Sequence, residues 1–173
     1  MLSRRRLPTA LICAVALWGC GTDTPGVPGD VVQANATVER VVDGDTVVID
    51  ADGVSERLRL IGIDTPESVD RNRPVMCFGK EASNRLGELL PEGTPVRLER
   101  DVEVRDRYDR LLAYVYRASD GQFVNLQMVT DGYAQQYTFP PNVEHTEAFG
   151  DAERAARVAR VGAWSQCDAP FEE

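Results

Sequence analysis

Histidine, lysine and long apolar runs are scarce in this 173-residue chain, and each scarcity excludes a class of function. A single histidine, His145, cannot make a histidine-rich zinc site, and we expect it to have a polar capping role at the start of a helix. The sequence also lacks a glycine-rich phosphate loop and a GxSxG nucleophile elbow. Lys80 is the only lysine, so carboxylates and arginines remain as the groups available for chemistry.

The chain also lacks an excess of basic residues. It has 19 Lys and Arg against 28 Asp and Glu, a net charge of −9. If Arg4, Arg5 and Arg6 leave with an N-terminal signal, 16 basic residues face 28 acidic ones, and the net charge becomes −12. This balance excludes a broad basic surface for nucleic acid. An anionic substrate must therefore be held by a local cluster or through a cation.

The longest apolar run, residues 7–18, is too short to span a bilayer. It follows three arginines, which predicts a signal peptide over residues 1–19. The ending LWGC resembles a lipobox, which would make Cys20 the lipidated first residue; the alternative is an ordinary signal peptide cut nearby. Residues 20–36, rich in Gly, Pro, Thr and Asp, predict a flexible tether. We expect an exported cell-envelope lipoprotein, or otherwise a secreted or periplasmic protein.

Four cysteines fit this layout. Cys13 would leave with the signal and Cys20 is the candidate for lipidation. Cys77 and Cys167 remain as one pair, and in an oxidising compartment they predict a disulfide. The alternative is two free thiols.

Hydrophobic patterning predicts one folded domain over residues 37–167 and a tail at 168–173. Two β-branched runs on either side of Asp43-Gly44 predict two strands within 37–50, joined by a hairpin turn. Alternating apolar residues predict strands at 54–64 and 95–104, and residues 110–117 give a fifth. Helical spacing predicts helices at 78–90, 123–131 and 143–161, the last with Asn142 as N-cap. Five strands and three helices favour an α+β protein with a five-stranded OB-like barrel.

Three carboxylates are placed where strands end. Asp45 follows the first turn, and Asp64 and Glu67 close the third strand. If the first three strands form one curled sheet, Asp45 and Asp64 meet on one rim, where they repel unless a cation lies between them. Oxygen ligands favour Ca²⁺ or Mg²⁺. The alternative is that Asp43 and Asp45 only shape a turn.

Two arginines are placed in or at the start of predicted strands. Arg59 lies in the third strand and Arg110 opens the fifth. A guanidinium is a planar, permanently charged fork that suits phosphate oxygens. Beside a divalent cation, two such groups would neutralise a phosphate and its transition state. The alternative for each is a surface salt bridge.

Five segments carry a family resemblance when they are taken in order: VVDGDTVVI, RLRLIGIDTPE, FGKEAS, DRYDRLLAYVY and FVNLQMVTDGYA. Over residues 37–165 the chain resembles the thermonuclease, or staphylococcal-nuclease-like, family. The resemblance implies an OB-fold barrel with three helices. It also implies calcium-dependent hydrolysis of DNA and RNA by in-line water attack, with products that end in a 3′-phosphate. We expect a monomer.

The resemblance assigns roles to individual residues. Asp45 and Asp64 resemble the calcium ligands, with the backbone carbonyl of Thr65 as a third. Glu67 resembles the carboxylate that orients or deprotonates the attacking water. Its neighbour Pro66 would restrict the conformational freedom of that carboxylate.

The resemblance also implies a substrate-binding set. Arg59 and Arg110 resemble the phosphate clamps, with Arg110 near the leaving oxygen. Tyr108 resembles a tyrosine that hydrogen-bonds the terminal phosphate, and Arg107 replaces a lysine nearby. Tyr137 resembles a tyrosine that packs on the base.

Two positions depart from the family pattern in ways that bear on nuclease activity. Asp109 stands where the best-known members of the family have glycine, and its charge disfavours a nearby phosphate unless Arg107 or Arg110 partners it. Phe139 stands near a position where a second tyrosine is expected, so stacking is kept and a hydroxyl is lost.

Two other functions are compatible with the sequence. One is a non-catalytic OB module that binds single-stranded nucleic acid. The other is a calcium-stabilised surface lipoprotein that binds protein or glycan.

Overall fold

The computed structural model describes residues 32–68 and 76–171. The predicted signal peptide, Cys20 and most of the predicted tether lie outside the described residues. Within them the chain forms seven strands and four helices. The strands are β1 (Ala36–Asp43), β2 (Thr46–Ala51), β3 (Val54–Leu60), β4 (Gly62–Asp64), β5 (Pro95–Glu99), β6 (Leu111–Arg117) and β7 (Gln135–Tyr137). The helices are α1 (Gly79–Leu89), α2 (Val124–Thr130), α3 (Thr146–Ala159) and α4 (Ala163–Gln166).

Five strands close into a barrel in the order β1-β2-β3-β6-β5, with β5 pairing back to β1. The β3–β6 pair is parallel and the other pairs are antiparallel. The predicted first turn is present, since Asp43 pairs with Thr46 across two residues. The barrel and the three longer helices α1, α2 and α3 confirm the predicted OB-like architecture.

The predicted third strand, residues 54–64, is wrong in one respect, because the structure breaks it into β3 and β4. Gly62 has a φ of +81°, which a side chain would disfavour. A Cβ there would also lie 2.3 Å from Cε2 of Phe149. The break turns β4 out of the barrel, where it pairs with β7 in a separate two-stranded sheet. Asp64 therefore projects from a different sheet than Arg59.

The predicted fourth strand is too long, since β5 ends at Glu99 rather than at residue 104. Asp101 uses its carboxylate to accept hydrogen bonds from the backbone N–H groups of Val102 and Glu144 and from the hydroxyl of Tyr114. Such local side-chain bonds compete with a strand ladder. The short elements β7 and α4 were not predicted, because three or four residues carry too little periodicity.

Helix α3 begins at Thr146, three residues later than predicted, and Asn142 is not its N-cap. Asn142 is buried and clamps the backbone of Glu103, accepting from its N–H at 2.7 Å and donating to its carbonyl at 3.0 Å. The N-cap position belongs to His145, but its side chain makes no capping bond, so the predicted capping role is wrong. Its ring packs instead against Tyr114, with centroids 4.4 Å apart.

The predicted disulfide between Cys77 and Cys167 is confirmed. It joins the residues just before α1 to the residue just after α4, across 90 positions of sequence. Beyond it, Phe171 packs on Trp164 with ring centroids 4.7 Å apart. No helix among the described residues has the length and apolarity that crossing a bilayer requires.

Candidate active site

One guanidinium joins the two predicted calcium ligands. Arg59 lies on β3 opposite Thr46 of β2, which places it beside Asp45 at the turn. Nη2 of Arg59 lies 2.9 Å from Oδ2 of Asp45 and 2.9 Å from Oδ1 of Asp64. The barrel thus brings together the strand residue and the two rim carboxylates that the sequence singled out.

The remaining donors of Arg59 are directed at backbone. Nη1 donates to the carbonyls of Leu60 at 2.6 Å and Ile63 at 2.9 Å. These carbonyls flank the break between β3 and β4, so Arg59 also holds the bend that brings Asp64 to the rim. Only 14% of the Arg59 side chain is exposed, and this set of bonds fixes its orientation.

Asp45 is oriented by neighbouring hydroxyl and amide groups. Its Oδ1 accepts from Oγ1 of Thr46 at 2.9 Å. Its Oδ2 accepts from the N–H of Thr65 at 3.3 Å and from Oγ1 of Thr65 at 3.2 Å. This approach needs Gly44, because a Cβ there would lie 2.7 Å from Oγ1 of Thr65. The glycine of the turn therefore lets the Asp64–Thr65 segment reach Asp45.

The backbone of Glu67 is held against Met76, shortly before α1 begins. Its N–H donates to Sδ of Met76 at 3.3 Å, and its carbonyl accepts from the N–H of Met76 at 2.9 Å. Its carboxylate interacts with that of Asp43. Burial raises the pKa of Asp43, and the hydrogen bond and charge of Glu67 add to the rise, whereas the hydroxyl of Ser68 and the N–H of Gly44 oppose it.

The second predicted phosphate clamp is preorganised by an unpredicted residue. Nε and Nη2 of Arg110 each lie 2.7 Å from Oδ2 of Asp106. Oδ1 of Asp106 accepts from the backbone N–H groups of Tyr108 at 2.9 Å and Arg110 at 3.0 Å. One carboxylate therefore fixes both the loop and the guanidinium that the loop presents. The alternation of acids and arginines in RDRYDR is the signal that could have revealed it.

Tyr108 lies between two cations. The guanidinium carbon of Arg107 is 4.7 Å from the ring centroid and that of Arg110 is 5.5 Å from it. Nη2 of Arg107 also donates to the hydroxyl of Tyr108 at 2.6 Å. Tyr108 is 65% exposed and Arg107 is exposed as well, whereas Arg110 is half-buried.

A cleft of about 450 Å³ collects these groups. Its walls include five of the predicted site residues and the aromatic position that departs from the family pattern: Arg59, Arg107, Tyr108, Arg110, Tyr137 and Phe139. Tyr137 and Phe139 are 51% and 66% exposed. Arg59 forms part of the cleft wall, and Asp45 and Asp64 adjoin the cleft through their contacts with this arginine.

Asp109 is partnered by an arginine that the sequence did not suggest. It has a φ of +63°, the left-handed conformation in which glycine is most easily accommodated. Nη1 of Arg105 donates to its carbonyl at 2.8 Å and lies 3.6 Å from its carboxylate. Arg105 also pairs with Glu56 at 2.6 Å. The guanidinium that contacts Asp109 is therefore that of Arg105 and not that of Arg107 or Arg110, and Arg105 divides its charge between Asp109 and Glu56.

Asn125 is a supporting residue that sequence reasoning missed. It is fully buried; its Oδ1 accepts from the N–H of Val115, and its Nδ2 donates to the carbonyl of Ile61, both at 2.9 Å. It thus ties α2 and β6 to the residue at which the third strand breaks. A polar residue inside a run of apolar helix positions was the available signal.

The carboxylates of Asp45 and Asp64 offer oxygen atoms, the ligand type that a hard divalent cation requires. Oxygens of Asp45 and Asp64 lie 2.9 Å from the same nitrogen of Arg59, so they are at most twice that distance apart. A positive group already lies between them. The described part of the chain contains no group of three or more His, Cys, Asp or Glu arranged to hold a metal. A cation bound by these two carboxylates would therefore need carbonyl and water oxygens as well, which Ca²⁺ accepts.

Comparison with known proteins identifies the family. A family model described as staphylococcal nuclease homologue matches residues 57–166. A thermonuclease of Staphylococcus intermedius is 40% identical over 137 residues, which cover 79% of this chain and 80% of that protein. A thermonuclease of Staphylococcus hyicus is 40% identical over 128 residues, 74% of each chain.

A third relative is more distant. Endonuclease YncB of Bacillus subtilis (strain 168) is 34% identical over 145 residues, covering 83% of this chain and 67% of that protein. The resemblance seen in the ordered motifs is thus confirmed by matches over most of the folded part. The chain belongs to the staphylococcal nuclease family, whose members include the thermonucleases.

Proposed function

We propose that this protein is an exported, calcium-dependent nuclease that cleaves DNA, RNA or both by in-line water attack and leaves 3′-phosphate ends. Family membership makes it a nuclease that hydrolyses phosphodiester bonds. Calcium dependence, the product ends, export and the roles of individual residues are the finer parts of the proposal.

One observation carries the proposal. Arg59 bridges Asp45 and Asp64 while lining the same cleft as Arg110. An acidic pair suited to a cation and two guanidinium groups suited to phosphate therefore adjoin one space. A non-catalytic nucleic-acid module would have no use for this acidic pair beside its binding surface, because the pair repels the phosphate backbone unless a cation is bound.

The carboxylates of Asp45 and Asp64 and the carbonyl of Thr65 would hold the calcium. When bound, calcium supplies positive charge that offsets the phosphate and polarises its oxygen. The acidic net charge of the chain makes such a cation more important for substrate binding than it would be in a basic protein.

The chain's own groups supply the remaining steps. Arg59 and Arg110 donate to phosphate oxygens and stabilise the extra negative charge of the crowded phosphorus. Glu67 orients the attacking water and accepts its proton as the new P–O bond forms. The bond to the 5′ oxygen breaks on the opposite side, and this oxygen takes a proton from solvent to leave as a hydroxyl. Each preorganised donor of this kind contributes about 3–4 kcal/mol to lowering the barrier.

The exposed rim of the cleft would hold the nucleotide. The hydroxyl of Tyr108 and the guanidinium of Arg107 point to solvent together and suit a terminal phosphate. Tyr137 and Phe139 present exposed rings on which bases can stack, at about 1–3 kcal/mol for each base. Stacking tolerates any base, so sequence preference would be weak.

Export is supported by the disulfide, because such bonds persist in oxidising compartments. We propose signal removal before Cys20, lipidation of that cysteine, and a monomeric nuclease domain on a tether. In cells that make the full chain, Cys20→Ala should move the protein from the membrane fraction to the soluble fraction. Unchanged membrane association would reject the anchor.

The decisive experiment incubates heat-denatured DNA with the mature protein in Ca²⁺ or in excess EDTA and resolves the products on a gel. Cleavage only with Ca²⁺ supports the proposal, and equal cleavage in EDTA rejects the metal assignment. Binding without cleavage would favour the nucleic-acid module. Calcium-dependent melting without binding or cleavage would favour the surface lipoprotein. With a 5′-labelled oligonucleotide, a phosphatase-dependent mobility shift identifies 3′-phosphate ends.

A further inference from the structure

We infer that the Cys77–Cys167 disulfide positions Glu67, so that opening it lowers turnover while substrate affinity and the fold are retained. This inference rests on the proposed function, in which Glu67 handles the attacking water. The two cysteines are positioning residues, because neither needs to touch the substrate.

The first link runs from Glu67 to the residue before the disulfide. Met76 and Glu67 contact each other twice, through the N–H of Met76 to the carbonyl of Glu67 at 2.9 Å and through the N–H of Glu67 to Sδ of Met76 at 3.3 Å. Cys77 follows Met76 directly. Any displacement of Cys77 is therefore passed to the backbone of Glu67 through two hydrogen bonds and a single peptide unit.

The second link is a close backbone approach at the first residue of α1. A Cβ on Gly79 would lie 2.6 Å from the carbonyl oxygen of Glu67 and 3.0 Å from that of Pro66. The N–H of Gly79 donates to the carbonyl of Met76 at 3.1 Å and closes the turn. Residues 76–79, which we call the clamp turn, thus lie directly against the segment that presents Glu67.

The other end of the disulfide is anchored to the helical layer. The N–H of Cys167 donates to the carbonyl of Ala163, and the N–H of Ala163 donates to the carbonyl of Gly132 at 2.9 Å. Gly162 packs so closely there that a Cβ would lie 2.5 Å from the carbonyl oxygen of Gly132. Cys167 therefore lies in a segment whose backbone is fixed against the end of α2. Through the disulfide, this segment restrains the position of the clamp turn.

Other contacts would keep the fold when the disulfide opens. The ring of Phe78 packs on Tyr133 with centroids 5.1 Å apart. Ser83 of α1 donates to Asp43 of β1 at 3.1 Å. Leu86, farther along α1, is fully buried in the core. The expected change is therefore local to the clamp turn and Glu67.

The bond is accessible to reductant, since Cys77 is exposed. A dithiol donates two electrons and two protons, the S–S bond breaks into two thiols, and the reductant closes its own disulfide. The proposal predicts a nuclease whose turnover responds to the thiol balance of its surroundings.

The test compares the oxidised protein with the Cys77→Ala/Cys167→Ala double variant in Ca²⁺, using single-turnover and steady-state cleavage of a labelled oligonucleotide. We expect kcat to fall about tenfold and KM to change less than twofold, because a small misplacement of a catalytic group affects the transition state more than binding. If the double variant does not fold, the folded wild type is reduced with dithiothreitol, assayed and reoxidised. Reoxidation should restore kcat.

A stability control separates positioning from general loosening. Val96→Ala removes buried volume from β5, outside the cleft, and is assayed at a temperature where all forms are folded by circular dichroism. Amide hydrogen exchange supplies a readout independent of activity. The Met76 N–H, which donates to Glu67, should exchange faster in the disulfide-free protein, and the N–H groups of β6 should not.

Equal kcat in oxidised and disulfide-free protein would overturn the inference, as would a loss of kcat matched by Val96→Ala. Unchanged protection of the Met76 amide would also overturn it. An oxidised wild type that cleaves nothing in Ca²⁺ would instead overturn the proposed function. In that case the exchange measurement still decides whether the disulfide orders the segment at Glu67.

Discussion

Nη2 of Arg59 lies 2.9 Å from Oδ2 of Asp45, and the contact is largely shielded from solvent. The same nitrogen serves Asp64, so one arginine offsets two carboxylates of the rim. Because a guanidinium occupies the space between the acidic oxygens, it stabilises them when no divalent cation is bound. If Arg59 binds phosphate as proposed, cation and substrate binding would shift its contacts from the carboxylates to the phosphate.

Asp45→Asn should weaken both the cation and the reaction. It removes one of two carboxylates, so we expect calcium affinity to fall at least about tenfold and kcat/KM to fall roughly 10²-fold. Isothermal titration calorimetry measures the affinity, and oligonucleotide cleavage measures the rate. Asp52→Asn is the matched control, since Asp52 is exposed on a turn at the far end of the β2–β3 hairpin. Unchanged calcium affinity in Asp45→Asn would remove it from the ligand set.

Glu67→Gln should lower turnover far more than binding. The amide keeps the size of the side chain but cannot accept a proton, so kcat should fall roughly 10²-fold or more. The Kd for a non-cleavable oligonucleotide should change less than threefold. Fluorescence anisotropy gives the Kd, with Glu92→Gln in an exposed turn as the control. A parallel loss of kcat and affinity would assign Glu67 to binding instead.

Asp106→Asn should disorder Arg110 and change the acid stability. Burial alone raises the pKa of Asp106, but the N–H and guanidinium of Arg110 lower it, and the net direction is down from 3.8. A lowered folded pKa stabilises the protein above the unfolded value and loses that contribution as pH falls through the folded pKa. The free energy of unfolding of the variant should therefore be about 1–2 kcal/mol lower than that of the wild type at neutral pH. This difference should narrow below pH 3.8.

Denaturant unfolding across pH measures this effect, and cleavage assays measure the activity. Asp120→Asn is the control, because the pKa of Asp120 is likewise lowered, mainly by its hydrogen bond with Arg117, outside the cleft. Both variants should lose the part of the unfolding free energy that depends on an ionised carboxylate. Only Asp106→Asn should also lower kcat/KM, by about tenfold. Equal activity in the two variants would contradict a positioning role for Asp106.

Asp109→Gly should raise substrate affinity without weakening the fold. The residue has a φ of +63°, which glycine adopts without strain, and its carboxylate is 88% exposed near the arginines of the cleft. Removing this negative charge should strengthen oligonucleotide binding about twofold to fivefold at low salt, with a smaller gain at high salt. Asp109→Asn, which removes the charge but retains a side chain, should give the same gain. No gain in either variant would show that Arg105 already neutralises Asp109.

Asn125→Leu should destabilise the protein by about 2–4 kcal/mol, because it leaves the N–H of Val115 and the carbonyl of Ile61 buried without partners. Asn35 offers a close control. It makes the same two kinds of bond to the backbone of Leu98, at 2.8 and 3.1 Å, but is exposed. Asn35→Leu should cost less than about 1 kcal/mol, since water can replace the lost partner. Equal costs in urea unfolding would contradict this account.

The barrel could be predicted because its information is local. The β-branched run Val47, Val48 and Ile49 predicts a strand, and all three residues are buried in β2. The helix at 78–90 could be predicted from the spacing of Ala82, Leu86 and Leu89, which are buried together. The break at Gly62 was missed, because the ring of Phe149 that requires it is 87 positions away in the chain.

The amino-acid sequence by itself determined the barrel strands and the three longer helices, the family and the inventory of carboxylates and arginines, since periodicity and ordered motifs are visible without coordinates. Only the tertiary structure decided how those groups pair: Arg59 with both Asp45 and Asp64, Arg110 with Asp106, and the disulfide with the segment at Glu67. The physical reason is that a salt bridge depends on angstrom distances between residues brought together by barrel closure. Those distances follow from packing across the whole chain and not from any local stretch of it.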